Sequence, residues 1–236
     1  MAETDTQREA VLTAVERVTD RIAEEKGHLT DLDSAIGDAD HGANLDRGFG
    51  KALAAVEDSE DDPAEIVKTV GVTLVSAVGG ASGPLYGGSI MTASQELEGG
   101  ITADSSVAFA EAYLKKVKDR GGARIGDKTM VDALTPAVHT YKKSIEEDEL
   151  SPVTALSKAV DAAERGVRFT TPIRANKGRA SYLGWRSVGH PDPGATSTLY
   201  IMEELLAVAS EYCEGDVETD AEADQSPEET PGEGAE

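Results

Sequence analysis

Apolar residues return at three- and four-residue steps along most of the chain, and that spacing restricts it to helices. Val11, Leu12, Val15, Val18 and Ile22 set the pattern over residues 6–26, one apolar stripe on a helical surface. Leu45, Phe49, Leu53 and Val56 repeat it between Asn44 and Val56. Asp62-Pro63 reads as a helix start, because proline is tolerated in the first turn. Ile66 to Val78 is apolar on most sides, as expected of a buried helix. Further helices are expected over 89–98, 104–118, 129–147, 152–165 and 195–212, with Gly or Pro between them. No persuasive period-two alternation competes with this pattern, so the expectation is an all-α domain of about eight helices.

Two stretches interrupt it. Gly79 to Gly88 is a glycine-rich break, and Phe169 to Pro193 mixes prolines, glycines and basic residues with little helical pattern. A structureless stretch of that length inside a compact domain suggests a functional loop or lid. From Glu214 to Glu236 the composition is that of a disordered acidic tail, so the expected division is a helical domain over 1–213 and a tail over 214–236.

Composition narrows the partners. The 45 acidic and 22 basic residues leave a net charge of −23, of which −13 remains without the tail. Nucleic acid is not an expected partner, since phosphate backbones are held by Lys and Arg. Such a surface resembles proteins adapted to high salt, where charges are screened over a few Å; an ordinary acidic cytosolic protein is the alternative. Cys213 is the single cysteine, which rules out an intrachain disulfide and a cysteine metal cluster. The polar, acidic N-terminus does not read as a signal peptide. No uncharged apolar run approaches the roughly 20 residues that span a bilayer. The expected setting is cytoplasmic.

The densest chemical signal lies between Asp33 and Asn44, where Asp33, Asp38, Asp40, His41 and Asn44 surround Gly37 and Gly42. Carboxylates held close repel one another unless a cation sits among them, and an oxygen-only set suits magnesium or calcium. Helix capping by Asp38 or Asp40 is the plainer reading, though it accounts for one Asp and not three. An EF-hand fails: counted from Asp38, its sixth position is Ala43 and its twelfth Phe49, where glycine and glutamate are required. Magnesium shares its coordination with substrate phosphates, and Gly79–Gly88 offers bare N–H groups and the Ser82 hydroxyl before a helix. The same glycines would equally serve close helix packing, and no Walker A motif is present. In Gly126-Asp127-Lys128-Thr129-Met130, Asp127 or Thr129 reads as a helix cap and Met130 suits a core position. Arg179, a cation in an acidic chain, can hold phosphate oxygens in a bidentate manner.

Four blocks stand here in order: Asp33 to Asn44, Gly79 to Gly88, Gly126 to Leu134, and Lys177 to Ala195. Together they resemble the L subunit of dihydroxyacetone kinases over about residues 6–212. The resemblance implies a barrel of eight antiparallel helices with ADP or ATP among the loops at one end. It implies that Asp33, Asp38 and Asp40 hold two magnesium ions bridging the phosphates. By the same match His41, Gly42, Ala43 and Asn44 contact the phosphates or metal shell, and Ala81 and Ser82 face the phosphates. Gly121 and Met130 line the adenine and ribose side. Arg179, Asp192, Pro193 and Gly194 close over the nucleotide, with Arg179 as the catalytic cation. The acceptor, dihydroxyacetone, is held on a separate K subunit. Either ADP stays bound and is rephosphorylated by an M subunit of the sugar phosphotransferase system, or ATP exchanges freely. A homodimer is compatible with this scheme. Two rival readings are the nucleotide domain of a fatty-acid-kinase-like enzyme and a non-enzymatic divalent-metal module.

Overall fold

Where the apolar pattern breaks at Asp, Ser or Thr, the break becomes a capped helix start. In the computed structural model, which describes residues 2–217, the helices are α1 (Ala2–Glu24), α2 (Lys26–Ile36), α3 (His41–Val56), α4 (Pro63–Ala77) and α5 (Ser82–Ala93). They continue as α6 (Ala103–Gly121), α7 (Met130–Glu146), α8 (Pro152–Thr170) and α9 (Pro193–Tyr212). Short 3-10 turns cover Ser94–Leu97 and Arg179–Ser187, and the described residues contain no strand. Asp62, Thr102, Thr129, Ser151 and Asp192 each accept a first-turn N–H at the starts of α4, α6, α7, α8 and α9. Such caps stabilise a helix by about 1 kcal/mol each. Thr129, not Asp127, is the cap of α7, in a reciprocal box with Asp132.

Packing neighbours follow a closed cycle: α1 lies beside α3, followed by α4, α5, α6, α7, α8 and α9, and α9 returns to α1. The short α2 packs on the start of this cycle, against α3, α9 and the Arg179–Ser187 turn. Ile22, Leu45, Ile66, Leu74, Val117 and Val131 are fully enclosed in the core. A lining of mostly small aliphatic side chains leaves an apolar cavity of about 360 Å³ among residues such as Val15, Phe49, Val70, Tyr113, Leu134 and Ile201. Most of the expected acidic tail lies outside the described residues. Its first part, up to Val217, runs along α8, where Ser157 Oγ donates to the Val217 carbonyl.

Two expectations need correction. The glycine-rich break ends at Ala81, and Gly83, Gly87 and Gly88 lie within α5. Their low helix propensity is overridden by packing: a Cβ on Gly87 would stand 2.5 Å from the carbonyl oxygen of Gly71 in α4. The helix over Ile66–Val78 is not buried all round either, since Val72 and Val75 are 49% and 40% exposed. α4 packs on α3 and α5 and turns a third face outward, where Val72 and Val75 stand with Glu65, Lys68 and Ser76.

The closest approach between α7 and α8 depends on Gly166, where a Cβ would run into the Asp132 carbonyl oxygen and stand 2.7 Å from Ala133 Cα. That carbonyl has no donor in its own helix, because Pro136 occupies the position four residues on. Gly166→Ala is expected to destabilise by about 1–3 kcal/mol, the range for overpacked sites, seen as a Tm several degrees lower. Gly50→Ala, in α3 with open space around it, is expected to raise Tm slightly.

Candidate functional site

The turn between α2 and α3 is folded back on a carboxylate. Asp33, buried in the last turns of α2, accepts hydrogen bonds through Oδ2 from the N–H groups of Asp40 at 2.8 Å and His41 at 3.1 Å. Gly37 has no room for a side chain there, because a Cβ would overlap Asp33 Oδ1. Ala39 adopts the left-handed region with φ +59°. The capping duty for α3 therefore falls to Asp33 from the preceding helix, and Asp40, at the N-cap position, makes no side-chain cap. Asp38 and Asp40 stand exposed beside Asp33, and one oxygen from each of the three lies within 4.8 Å of the others. The nearby cation is Arg179, whose Nε meets Asp38 Oδ2 at 2.9 Å. One guanidinium against three carboxylates leaves a surplus of negative charge, and the donors are all oxygen. That set fits a hard divalent cation.

Around this cluster the first turns of α3, α5, α7 and α9 come together. His41 Nε2 lies 2.9 Å from Ser197 Oγ, and the ring also bonds the carbonyl of Pro193. Burial pushes the His41 pKa down, against the opposing pull of the Asp33 and Asp40 carboxylates. Tyr86 of α5 donates to the Gly194 carbonyl at 3.2 Å and lies 2.8 Å from Ser197 Oγ. Burial raises its pKa to about 12, so it remains a neutral phenol. Gly79 sits on Asn44, whose Oδ1 accepts from Arg47 at 2.6 Å. Gly80 takes φ +64°, and Ala81 and Ser82 open α5 without a side-chain cap. A Cβ on Gly194 would be 3.7 Å from that of Met130 at the start of α7.

The sequence-derived residues are therefore gathered at one end of the helical cycle. Gly121, at the close of α6, approaches Leu85 of α5. Gly42 faces Thr30 and the Lys26 carbonyl, which makes it the contact point between α2 and α3; Ala43 follows it in the same turn. Met130 is buried in the main core while opening α7. Tyr86 and Ser197 escaped sequence reasoning as site residues, because a tyrosine and a serine on helical faces carry no local mark. Lys128, only 1% exposed, escaped it too, since lysine is ordinarily a surface residue.

Asp192 caps α9 by accepting from Ala195 N at 2.7 Å, and its own N–H donates to Thr170 Oγ1. Burial raises its carboxyl to about 7; the Ala195 N–H and the Lys128 ammonium lower it, and Asp132 adds to the rise. The fold thus favours the protonated acid. As pH climbs from the unfolded value near 4 toward 7, ionisation removes stability. Asp192→Asn keeps the capping oxygen without the charge. Its stability relative to the parent should improve by roughly 2 kcal/mol between pH 5.5 and pH 8. Paired thermal melts at the two pH values check this, and a constant gap would mean that Asp192 titrates as an ordinary carboxylate.

Comparison with known proteins places the chain in a family. The DAK2 domain family matches residues 35–207. The chain is 42% identical over 213 residues, 86% of its own length and 98% of the relative's, to the Escherichia coli (strain K12) PEP-dependent dihydroxyacetone kinase, ADP-binding subunit DhaL. It is 39% identical over 198 residues, 82% of this chain and 94% of the relative, to the PTS-dependent dihydroxyacetone kinase, ADP-binding subunit DhaL of Lactococcus lactis subsp. lactis (strain IL1403). Among solved structures it resembles the dihydroxyacetone kinase from C. freundii in complex with AMP-PNP and Mg2+, with a TM-score of 0.65 and 28% identity. That match covers 84% of this chain and 33% of the kinase, so the chain spans about a third of that protein. No helix among the described residues is long and apolar enough to cross a membrane. The chain belongs to the DAK2 domain family, among relatives that are DhaL-type subunits of dihydroxyacetone kinases.

Proposed function

We propose that this chain is the nucleotide-carrying subunit of a dihydroxyacetone kinase, transferring a phosphoryl group from bound ATP to dihydroxyacetone held on a separate K subunit. The observation that carries the reading is the placement of Asp33, Asp38 and Asp40 among the starts of four helices. Helix N-termini present unpaired N–H groups and partial positive charge. Carboxylates beside them bring in cations, and the two together suit a polyphosphate.

Asp33 is the fixed member, because two backbone N–H groups hold one of its oxygens. Asp38 and Asp40 supply exposed oxygens that can turn toward a metal, and the three together would hold the magnesium. Two magnesium ions, when bound, would neutralise the phosphate oxygens between which charge is redistributed in phosphoryl transfer. Ala81 and Ser82 bring the uncapped start of α5 toward the phosphates. Gly121 and Met130 border the space assigned to adenine and ribose, and Asp192, Pro193 and Gly194 form its wall at α9. Arg179 bears an exposed guanidinium that already reaches the cluster, and it is positioned to follow charge on the transferred group. The attacking hydroxyl belongs to the acceptor, so this chain needs no nucleophile. ADP is retained after transfer and rephosphorylated in place by an M subunit of the phosphotransferase system. The relatives named as PEP- and PTS-dependent ADP-binding subunits support that order over free exchange of ATP.

Asp38→Ala should weaken magnesium-dependent ADP binding by roughly 100-fold or more, as expected for loss of a metal-shell group, with the far-UV CD spectrum unchanged. Asp31→Ala, on α2 ahead of the turn and outside the cluster, should bind as the parent does. Calorimetric titration with ADP, with and without magnesium, gives the answer. Equal ADP affinity in Asp38→Ala and the parent would end the metal-bridge reading.

A further inference from the structure

Lys128 has an environment unlike that of any other cation described in this chain. It is 1% exposed, takes φ +61°, and sits between the turn at Gly126 and the start of α7. Its Nζ donates toward four backbone carbonyls: Thr170 at 2.8 Å, Ile173 at 3.3 Å, Ser187 at 2.6 Å and His190 at 2.5 Å. Thr170 and Ile173 lie where the chain leaves α8, and Ser187 and His190 lie where it returns to α9. The ammonium therefore gathers both ends of one long connection. The rest of the connection is tied to the same place: Asn176 N donates to the Asp127 carbonyl, Ala175 N to Ser187 Oγ, and Gly189 N to the Thr171 carbonyl. Ala175, Ala180 and Leu183 pack on Ile36 at the end of α2. At the outer bend of this strap stands Arg179, 66% exposed, with its guanidinium on Asp38.

We propose that Lys128 is a positioning residue for the phosphoryl-transfer site: its ammonium acts as a tethered internal cation that closes the 171–191 strap and so presents Arg179 to the Asp33, Asp38 and Asp40 cluster. The role of Arg179 in this inference rests on the function proposed above; the closing of the strap does not. Carbonyl oxygens converging on one buried point repel each other unless a cation or donor fills it. Without the ammonium the strap loses its common anchor, while the caps and packing of the helices stay in place. Lys128 acts on the phosphoryl-transfer site through the strap that carries Arg179, with a second influence on Asp192, so its loss and the loss of Arg179 should overlap rather than multiply.

The test uses the full chain and three variants: Lys128→Met, which keeps the stem but removes charge and donors, Arg179→Ala, and the two combined. Each single change should speed ADP release from the magnesium complex by roughly 10- to 100-fold, as for groups one shell removed from a metal site. The double variant should release ADP at a rate well short of the product of the two single effects. Hydrogen–deuterium exchange without nucleotide should accelerate over 171–190 in Lys128→Met and remain unchanged over α3 to α6. Multiplying defects in the double variant, unchanged exchange over 171–190, or acceleration throughout the helices would each overturn the proposal. If Lys128→Met does not fold, Lys128→Ala with added propylammonium replaces it; protection of 171–190 restored by that cation supports the proposal, and its absence refutes it. A parent protein that fails to hold magnesium and ADP would remove the nucleotide reading, and the exchange arm would still decide whether Lys128 closes the strap.

Discussion

One carboxylate organises the end of the molecule that matters. Asp33 reaches forward from α2 to the N–H groups that begin α3, and this contact sets the turn on which Asp38 and Asp40 are carried. Because the turn is short and includes a left-handed Ala39, its geometry depends on that anchor. His41 follows immediately and connects the turn to α9 through Ser197 and Pro193. A cluster of acidic side chains would otherwise spread apart under its own repulsion. Here the backbone of the next helix holds one member in place, while Asp38 is paired with Arg179 and Asp40 stands exposed beside them.

The helical cycle supplies the opposite sign. Starts of α3, α5, α7 and α9 are drawn together by His41, Tyr86, Ser197 and the contact of Met130 with Gly194. The glycines of α4 and α5 let those helices approach at backbone distance, so the uncapped start of α5 is brought beside Asn44. A site built from helix ends and carboxylates handles phosphate by placement and charge, and no reactive side chain is required for that task. Arg179 meets the cluster from the long connection between α8 and α9, and the Lys128 ammonium gathers the two ends of that connection.

Charge also has an energetic cost in this fold. Asp192 is buried at the start of α9 with a carboxyl raised to about 7, and Lys128 is buried among carbonyls. Groups of this kind destabilise a folded domain unless partners compensate. Here both occupy the join between the strap and α9, where the resemblance to dihydroxyacetone kinase subunits assigns nucleotide contacts.

Much of this was legible from residues alone. The three- and four-residue recurrence of apolar positions specified helices, and Asp62 and Thr129 marked starts, because both signals are local to a turn of chain. The Asp33 to Asn44 block carried the expectation of a hard metal through residue type and spacing, and the fold brings its three carboxylates together. Other features depended on neighbours distant in sequence. Gly83, Gly87 and Gly88 looked like a break and are helical, since the partner that excludes a Cβ is α4. Asp33 rather than Asp38 or Asp40 took the capping role, since only the folded turn brings it to those N–H groups. Nothing local distinguished Lys128, Tyr86 or Ser197, whose contacts to other helices and to the strap span 42 to 156 residues. The sequence by itself determined the helical class, the helix starts at Asp62 and Thr129 and the kind of ligand the acidic block can hold, because periodicity and donor chemistry are properties of short segments. Tertiary structure alone decided which helix starts share one site and what anchors Arg179 over it, because those contacts exist only once distant turns have been packed together.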